Sequence, residues 1–318
     1  MIAMPNPTNA RIAVLIPCYN EEAAIAKTVS DFRAALPGAV IYVYDNNSKD
    51  QTVARAREAG AIVRSETRQG KGNVVRRMFA DIEADIYVLT DGDDTYDASA
   101  APLLVATLIK SGFDIVAGKR EATGDAAYRR GHVLGNRLLT GLTAMMFNVK
   151  LTDMLTGYRI MSRRFVKSFP FTAEGFAIET ELTIHAVRLM VPMLEIETRY
   201  KERPVGSVSK LNTYRDGFRI LNTIGYLVRE ERPLIFFSSI FLVLFALSLL
   251  IGIPVFLEFL DTGLVPRLPT ALLATGLMLL GFLSLMSGLI LDTVTRGRWE
   301  QKRMTYLSMP GPQDLRLP

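Results

Sequence analysis

The sequence predicts an α/β fold, a cytosolic domain built on a mostly parallel sheet, followed by an amphipathic interface helix and two transmembrane helices. Three observations carry this expectation. Residues 11–118 alternate short β-branched runs with helix-length segments, the rhythm of βαβ units. Clusters rich in Asp and Gly stand just after those runs, where open α/β sheets bind ligands. Two long uncharged stretches lie close together beyond residue 230, and they hold much of the 49% apolar content of the 318 residues.

The strands expected from the runs are Arg11–Ile16, Val40–Tyr44, Ile62–Ser65, Ile86–Thr90 and Ile115–Gly118. Apolar positions at helical spacing place helices over Glu21–Leu36, Gln51–Ala59, Asn73–Glu83 and Ala100–Ser111. Beyond residue 120 the rhythm changes to a polar stretch, Glu121–Tyr128, a basic helix start at Arg129 and Arg130, and an apolar segment to Phe147. Residues 213–231 mix charged and apolar side chains at helical spacing, which reads as a helix lying in the headgroup plane.

Pro233–Phe259 and Pro269–Leu291 carry no charge beyond Glu258. At about 1.5 Å per residue each can cross a hydrocarbon core of roughly 30 Å. The formal charge is +5, and its bases flank these spans: Arg215, Arg219, Arg229 and Arg232 before the first, Arg296, Arg298, Lys302 and Arg303 after the second. The loop between carries only Arg267. The positive-inside bias then puts both flanks in the cytoplasm and makes the chain multi-pass in the cell's inner membrane. The N-terminal MIAMPNPTNAR has no charged region before an apolar core, so export of the first 210 residues is not expected. One cysteine, Cys18, permits no intrachain disulfide, which fits a reducing compartment. The expected organisation is residues 1–212 as catalytic domain, 213–232 as juxtamembrane helix, 233–292 as hairpin and 293–318 as cytoplasmic tail. Nucleic acid is a poor partner, because the bases flank spans and an acidic cluster sits mid-domain.

Asp91-Gly92-Asp93-Asp94, with Asp97 behind, places carboxylates at the end of a buried strand. Hard oxygen ligands so placed suit Mg²⁺ or Mn²⁺ shared with a diphosphate; a solvated acidic turn or helix cap is the alternative. Asp45 ends the second strand and can accept hydrogen bonds from a base or ribose, or stabilise its own turn, while Asp50 reads as a helix N-cap. Gly70-Lys71-Gly72-Asn73 offers a cation and small residues at a helix start, a phosphate contact without the flanks of a P-loop. His132 and His185 lack companions at ligand spacing and read as packing residues, and Cys18 as a small buried side chain.

Together with these, Pro17-Cys18-Tyr19-Asn20-Glu21, Ser48, Gly118-Lys119-Arg120, the DMLTGYR run from Asp153 to Arg159, Glu179–Leu182 and Ser209-Lys210-Leu211 form an ordered set. It resembles family 2 glycosyltransferases of the dolichol-phosphate mannose synthase and bacterial polyprenyl-phosphate glycosyltransferase type, over about residues 11–215. The resemblance implies a GT-A fold, a nucleotide-sugar donor, a divalent cation and inversion at the anomeric carbon. It assigns Pro17, Tyr19, Glu21 and Asp45 to the nucleoside, and Asp91 and Asp93 to the metal and to catalysis; Lys71, Asp91 and Gly92 complete the expected nucleotide-sugar site, and Glu181 either joins it at the sugar hydroxyls or pairs with Arg188. The chain departs from the family in having Asn46-Asn47 after Asp45, and it lacks the Gln-x-x-Arg-Trp motif of processive synthases, since Thr295 stands where Gln would precede Arg298-Trp299.

A lipid phosphate acceptor, the class used by such relatives, already carries an anionic oxygen at neutral pH and needs cations more than a base. Arg120, Arg130, Arg203 and Lys210 are the candidates to dock it, with Arg120 also placed in catalysis. The expected reaction moves one hexose or N-acetylhexosamine from UDP, with GDP-mannose as the other donor, to a polyprenyl phosphate such as undecaprenyl phosphate. A sugar-nucleotide-binding membrane adaptor and a processive synthase are the competing readings. Two thin spans per chain also invite self-association.

Overall fold

The computed structural model describes residues 9–122, 141, 152–170, 178–201, 225–226 and 228–315. They fall into two compact units, one drawn from Met1–Gly217 and Lys302–Pro318, the other from Phe218–Gln301.

In the first unit β1 (Ile12–Cys18), β2 (Val40–Asp45), β3 (Ile62–Ser65) and β4 (Ile86–Leu89) alternate with α1 (Ile25–Ala35), α2 (Thr52–Glu58) and α3 (Lys71–Asp81). The strands run parallel, with β1 paired to β2 on one side and to β4 on the other. The central strands β1 and β4 carry continuous rather than alternating apolar runs, as buried parallel strands do, and all four residues of β4 are buried, whereas the edge strand β3 is largely exposed. After α4 (Ala101–Ser111) come β5 (Ile115–Ala122), β6 (Arg159–Ser162), α5 (Arg163–Ser168), α6 (Ile178–Leu189) and β7 (Met193–Tyr200). The seven-stranded sheet has the order β3-β2-β1-β4-β6-β5-β7. β6 is antiparallel to both neighbours, while β5 and β7 run parallel over eight residue pairs.

The five expected strands are all present, within a few residues of the expected bounds, and the sheet is mostly parallel. Two departures matter for the site. β5 does not lie beside β4, because β6 is inserted between them. β6 and β7 were not expected: β6 is only four residues long and runs directly into a helix, too short for a period to register. Gly70 carries the chain into α3 at φ 125°, a backbone region that favours glycine. The expected helix start near residue 129 and most of the expected interface helix lie outside the described residues.

His185, on α6, packs against the rings of Phe165 and Phe169, each 5.2 Å away, and its Nε2 lies 3.1 Å from the Ser168 hydroxyl. It is a core residue, as the sequence suggests; His132 lies outside the described residues. Burial, and then the positive charge of Lys302, lowers its pKa to about 3. Above pH 6.5 the imidazole is neutral whether the chain is folded or not. As pH falls from 6.5 toward 3 the unfolded chain takes up a proton that the folded one refuses, so stability declines, by about 2 kcal/mol at pH 5. His185→Gln is expected to flatten this loss in thermal unfolding between pH 7 and 4; an unchanged pH slope would refute it.

The second unit contains α7 (Pro233–Thr262) and α8 (Leu268–Leu307) up to residue 301. Both are long and apolar enough to cross a membrane, and only 11% and 17% of their most apolar windows is buried within the protein. The pair packs through small residues: Ser248 Oγ donates to the Ala274 carbonyl at 2.8 Å, and Ser284 Oγ to that of Phe237 at 3.0 Å. A Cβ on Gly288 would stand 2.9 Å from that of Phe237. Such close approach is how helices associate where lipid removes the hydrophobic drive.

α8 runs 16 residues beyond the expected end of the second span at Leu291, and from Lys302 onward the chain belongs to the first unit. The expected tail is therefore in large part folded. Tyr306 donates its hydroxyl to Asp114 at 2.6 Å and stacks under the Arg164 guanidinium, 4.6 Å from the ring centre. A short turn, Pro312–Asp314, follows, and Leu315 packs against the core.

Candidate active site

The parallel strands deliver their C-terminal ends to one edge of the sheet, and the loops there are stitched together. The Asn20 amide donates to Ser48 Oγ, the Lys49 amide to Asn20 Oδ1, and the Glu21 amide to Thr52 Oγ1, each at 2.8 Å. Asp50 accepts from the Thr52 amide at 3.0 Å and from the Glu22 amide at 3.2 Å, tying the first residue of α2 to the loop after β1, although Gln51 and not Asp50 stands at the N-cap position. Asp45 is buried, and both its oxygens lie 3.2 Å from the Ser48 amide, the turn-stabilising geometry left open by the sequence. Asn46, noted in the sequence only as a departure from the family, is buried and saturated: its Nδ2 donates to the Glu66 and Arg68 carbonyls, and its Oδ1 accepts from the Gly70 amide. It ties the end of β2 to the loop that presents Lys71.

Cys18 is buried at the meeting point. A Cβ on Gly92 would stand 2.6 Å from its sulfur, so the glycine lets the acidic loop close over β1. Burial first, and then the charges of Glu21, Asp45, Asp91 and Asp93, push the thiol well above its ordinary pKa. A thiol so protonated is no nucleophile. Four carboxylates named from the sequence thus act on this one thiol, and its chain neighbours Pro17 and Tyr19 are half-buried.

The acidic run divides its work. Asp93, deeply buried, accepts from the Thr95 hydroxyl at 2.6 Å. Asp94 pairs with Lys27 at 3.0 Å, and Asp97 caps the Ala98–Ala100 turn. Asp91 bonds the Lys71 ammonium through Oδ1, and the same ammonium reaches Glu179 Oε1 at 2.6 Å. Burial alone would lower the lysine's pKa; the charges of Asp91 and Glu179 outweigh it and hold the group above its ordinary value. Lys71 is therefore a fixed cation. Glu179, on α6, is the partner that sequence reasoning missed in favour of Glu181, two residues along and half-buried on the same helix. Positions two apart on a helix point in nearly opposite directions, so spacing alone could not choose between them.

The run that precedes and opens β6 closes the other side. Gly157 donates its amide to the Tyr96 hydroxyl at 2.7 Å, and a Cβ there would stand 2.7 Å from Asp91 Oδ2. Arg159, fully buried, clamps the turn by donating to the Met154 and Thr156 carbonyls and to Thr183 Oγ1. Arg120 makes a fork with Asp153 at 2.8 and 2.7 Å and lies over Tyr200, its guanidinium 5.7 Å from the ring centre. The other expected acceptor cations, Arg130, Arg203 and Lys210, lie outside the described residues.

Among the described residues no group of three or more His, Cys, Asp or Glu is arranged to hold a metal ion. The edge nevertheless fits a divalent cation of the kind shared with a diphosphate, which takes one or two carboxylates and completes its shell with phosphate oxygens and water. Asp91 already holds one cation on Oδ1, and Gly157 leaves the flank by Oδ2 without a side chain.

A mostly parallel sheet whose acidic and basic groups gather at the carboxyl ends of its strands, with an antiparallel strand inserted past the acidic loop, defines a GT-A glycosyltransferase domain. A family model described as glycosyl transferase family 2 matches residues 13–169. The chain is 34% identical to glycosyltransferase AglJ of Haloferax volcanii, over 74% of this chain and 77% of that one. It is 29% identical to a dolichyl-phosphate hexose transferase of the same organism, over 70% and 95%. Among solved structures, glucosyl-3-phosphoglycerate synthase from Mycobacterium tuberculosis in complex with Mn²⁺, UDP-glucose and glycerol 3-phosphate is 25% identical, with a TM-score of 0.54 over 69% of this chain and 79% of that one. The chain belongs to glycosyl transferase family 2.

Proposed function

We propose that this glycosyltransferase moves one sugar, with inversion, from a UDP-hexose or UDP-N-acetylhexosamine to a polyprenyl phosphate at the cytoplasmic face of the membrane. The observation that carries the reading is a fixed cation, Lys71, among the carboxylates of the sheet edge, on a chain that also bears two helices long and apolar enough to cross a membrane. The relative named dolichyl-phosphate hexose transferase, and the solved neighbour in complex with Mn²⁺ and UDP-glucose, support the same reading.

Glu21 and Asp45 face the nucleoside in this reading, and Lys71 the donor diphosphate. Held protonated, Lys71 cannot serve as a base. An acceptor phosphate monoester, with a second pKa of about 6, needs none. Its oxygen attacks C1, the bond from C1 to the diphosphate breaks, and the nucleoside diphosphate leaves with the electron pair. A divalent cation held by Asp91 and Asp93 would supply positive charge to that leaving group. Arg120, already oriented by Asp153, is the cation assigned to the acceptor, together with Arg130, Arg203 and Lys210.

The test is incubation of the purified full chain with labelled UDP- and GDP-sugars and polyprenyl phosphate, with Mn²⁺ or a chelator. One lipid-linked sugar, lost on chelation, is the expected result. No lipid-linked label across donors would favour a binding-only adaptor, and polymer a processive synthase.

A further inference from the structure

Lys71 has two partners, and one of them has a second claim on it. Its ammonium bonds Asp91, a carboxylate that the proposed function also assigns to the divalent cation, and Glu179, which has no other assigned part in the reaction. The three groups come from different places: Lys71 opens α3, Asp91 follows β4, and Glu179 lies in the first turn of α6. All three side chains are mostly withdrawn from water, at 19%, 29% and 10% exposure, so their attractions and repulsions are only partly screened.

An ammonium and a divalent ion on one carboxylate repel each other. Were Asp91 the only anchor, cation binding there would loosen Lys71 at the moment the diphosphate needs it. A second carboxylate, on an element that does not touch the cation's ligands in sequence, removes that dependence. We propose that Glu179 is the positioning residue for Lys71: it holds the ammonium at the sheet edge when Asp91 turns to the cation, so that both positive charges reach the donor diphosphate together. Glu179 acts through Lys71 and is not itself assigned a contact with substrate.

This inference rests on the proposed metal-dependent use of the donor, and the experiment separates the two. UDP and GDP are titrated calorimetrically into the full chain in detergent, with and without Mn²⁺, and the tighter nucleotide is carried through a cycle of Glu179→Gln, Lys71→Met and the double variant. A positioning role predicts that Glu179→Gln weakens nucleotide binding about tenfold with Mn²⁺, the scale of one lost charge-assisted bond, and less than about threefold without it, because Asp91 then still holds Lys71. The double variant should bind no more weakly than Lys71→Met alone. Equal weakening with and without Mn²⁺, or additive losses in the double variant, overturns the role. Native protein whose nucleotide affinity ignores Mn²⁺ overturns the metal reading, and the positioning role with it. If Glu179→Gln does not fold, Glu179→Asp takes its place, with the same Mn²⁺-dependent loss expected at smaller size and the same outcomes overturning it.

Discussion

Asp93→Ala is expected to lower sugar transfer by on the order of a thousandfold, the scale on which losing a single charge-stabilising group acts, while its partition between membrane and soluble fractions stays that of the native chain. The side chain is 3% exposed and accepts from the Thr95 hydroxyl, so alanine also leaves that hydroxyl without this acceptor. Asp93→Asn keeps an acceptor oxygen there and removes only the charge. If charge toward a cation is what matters, both variants lose transfer and only alanine loses measurable stability. Metal-dependent transfer retained in Asp93→Ala would sink the assignment.

Asp114→Ala is expected to cost stability more than any surface change. The carboxylate is fully buried and accepts from Arg164 twice at 2.6 Å, from the Ser162 hydroxyl at 2.5 Å and from the Tyr306 hydroxyl at 2.6 Å. Deleting it strands a guanidinium that is itself only 20% exposed. Breaking a buried pair from one side costs about 3–5 kcal/mol, and the partial exposure of Arg164 places this case near the lower figure. Tyr306→Phe removes one bond and should cost about 1 kcal/mol. Thermal unfolding of the purified full chain checks both. Equal effects would mean that the C-terminal segment contributes packing alone, without the ion-pair network.

The Arg164, Asp114 and Tyr306 network also marks where reading the sequence stopped short. A carboxylate in a loop, the second of two adjacent arginines and a tyrosine 192 positions away have no common period, and nothing local says that they meet. The sequence reads 293–318 as a cytoplasmic tail, whereas Tyr306 and Leu315 are built into the first unit. β7 went unread although Met193–Tyr200 comes near the alternation of a half-buried strand; it lies at an edge of the sheet, and its eight-residue parallel pairing with β5 is what the fold adds.

What the sequence determined by itself was what repeats or is long. Five strands, four helices and two membrane-length helices are legible because apolar periodicity and span length are local properties of a chain. The motif residues at the strand ends were legible too, because a parallel sheet sends all its carboxyl ends to one edge. Tertiary structure alone decided the pairings: Lys71 with Asp91 and Glu179, Gly157 against Asp91, and Arg120 in the fork of Asp153. Each joins residues from elements far apart in the chain, and a charge's partner is set by which side chains the fold brings within a few ångströms.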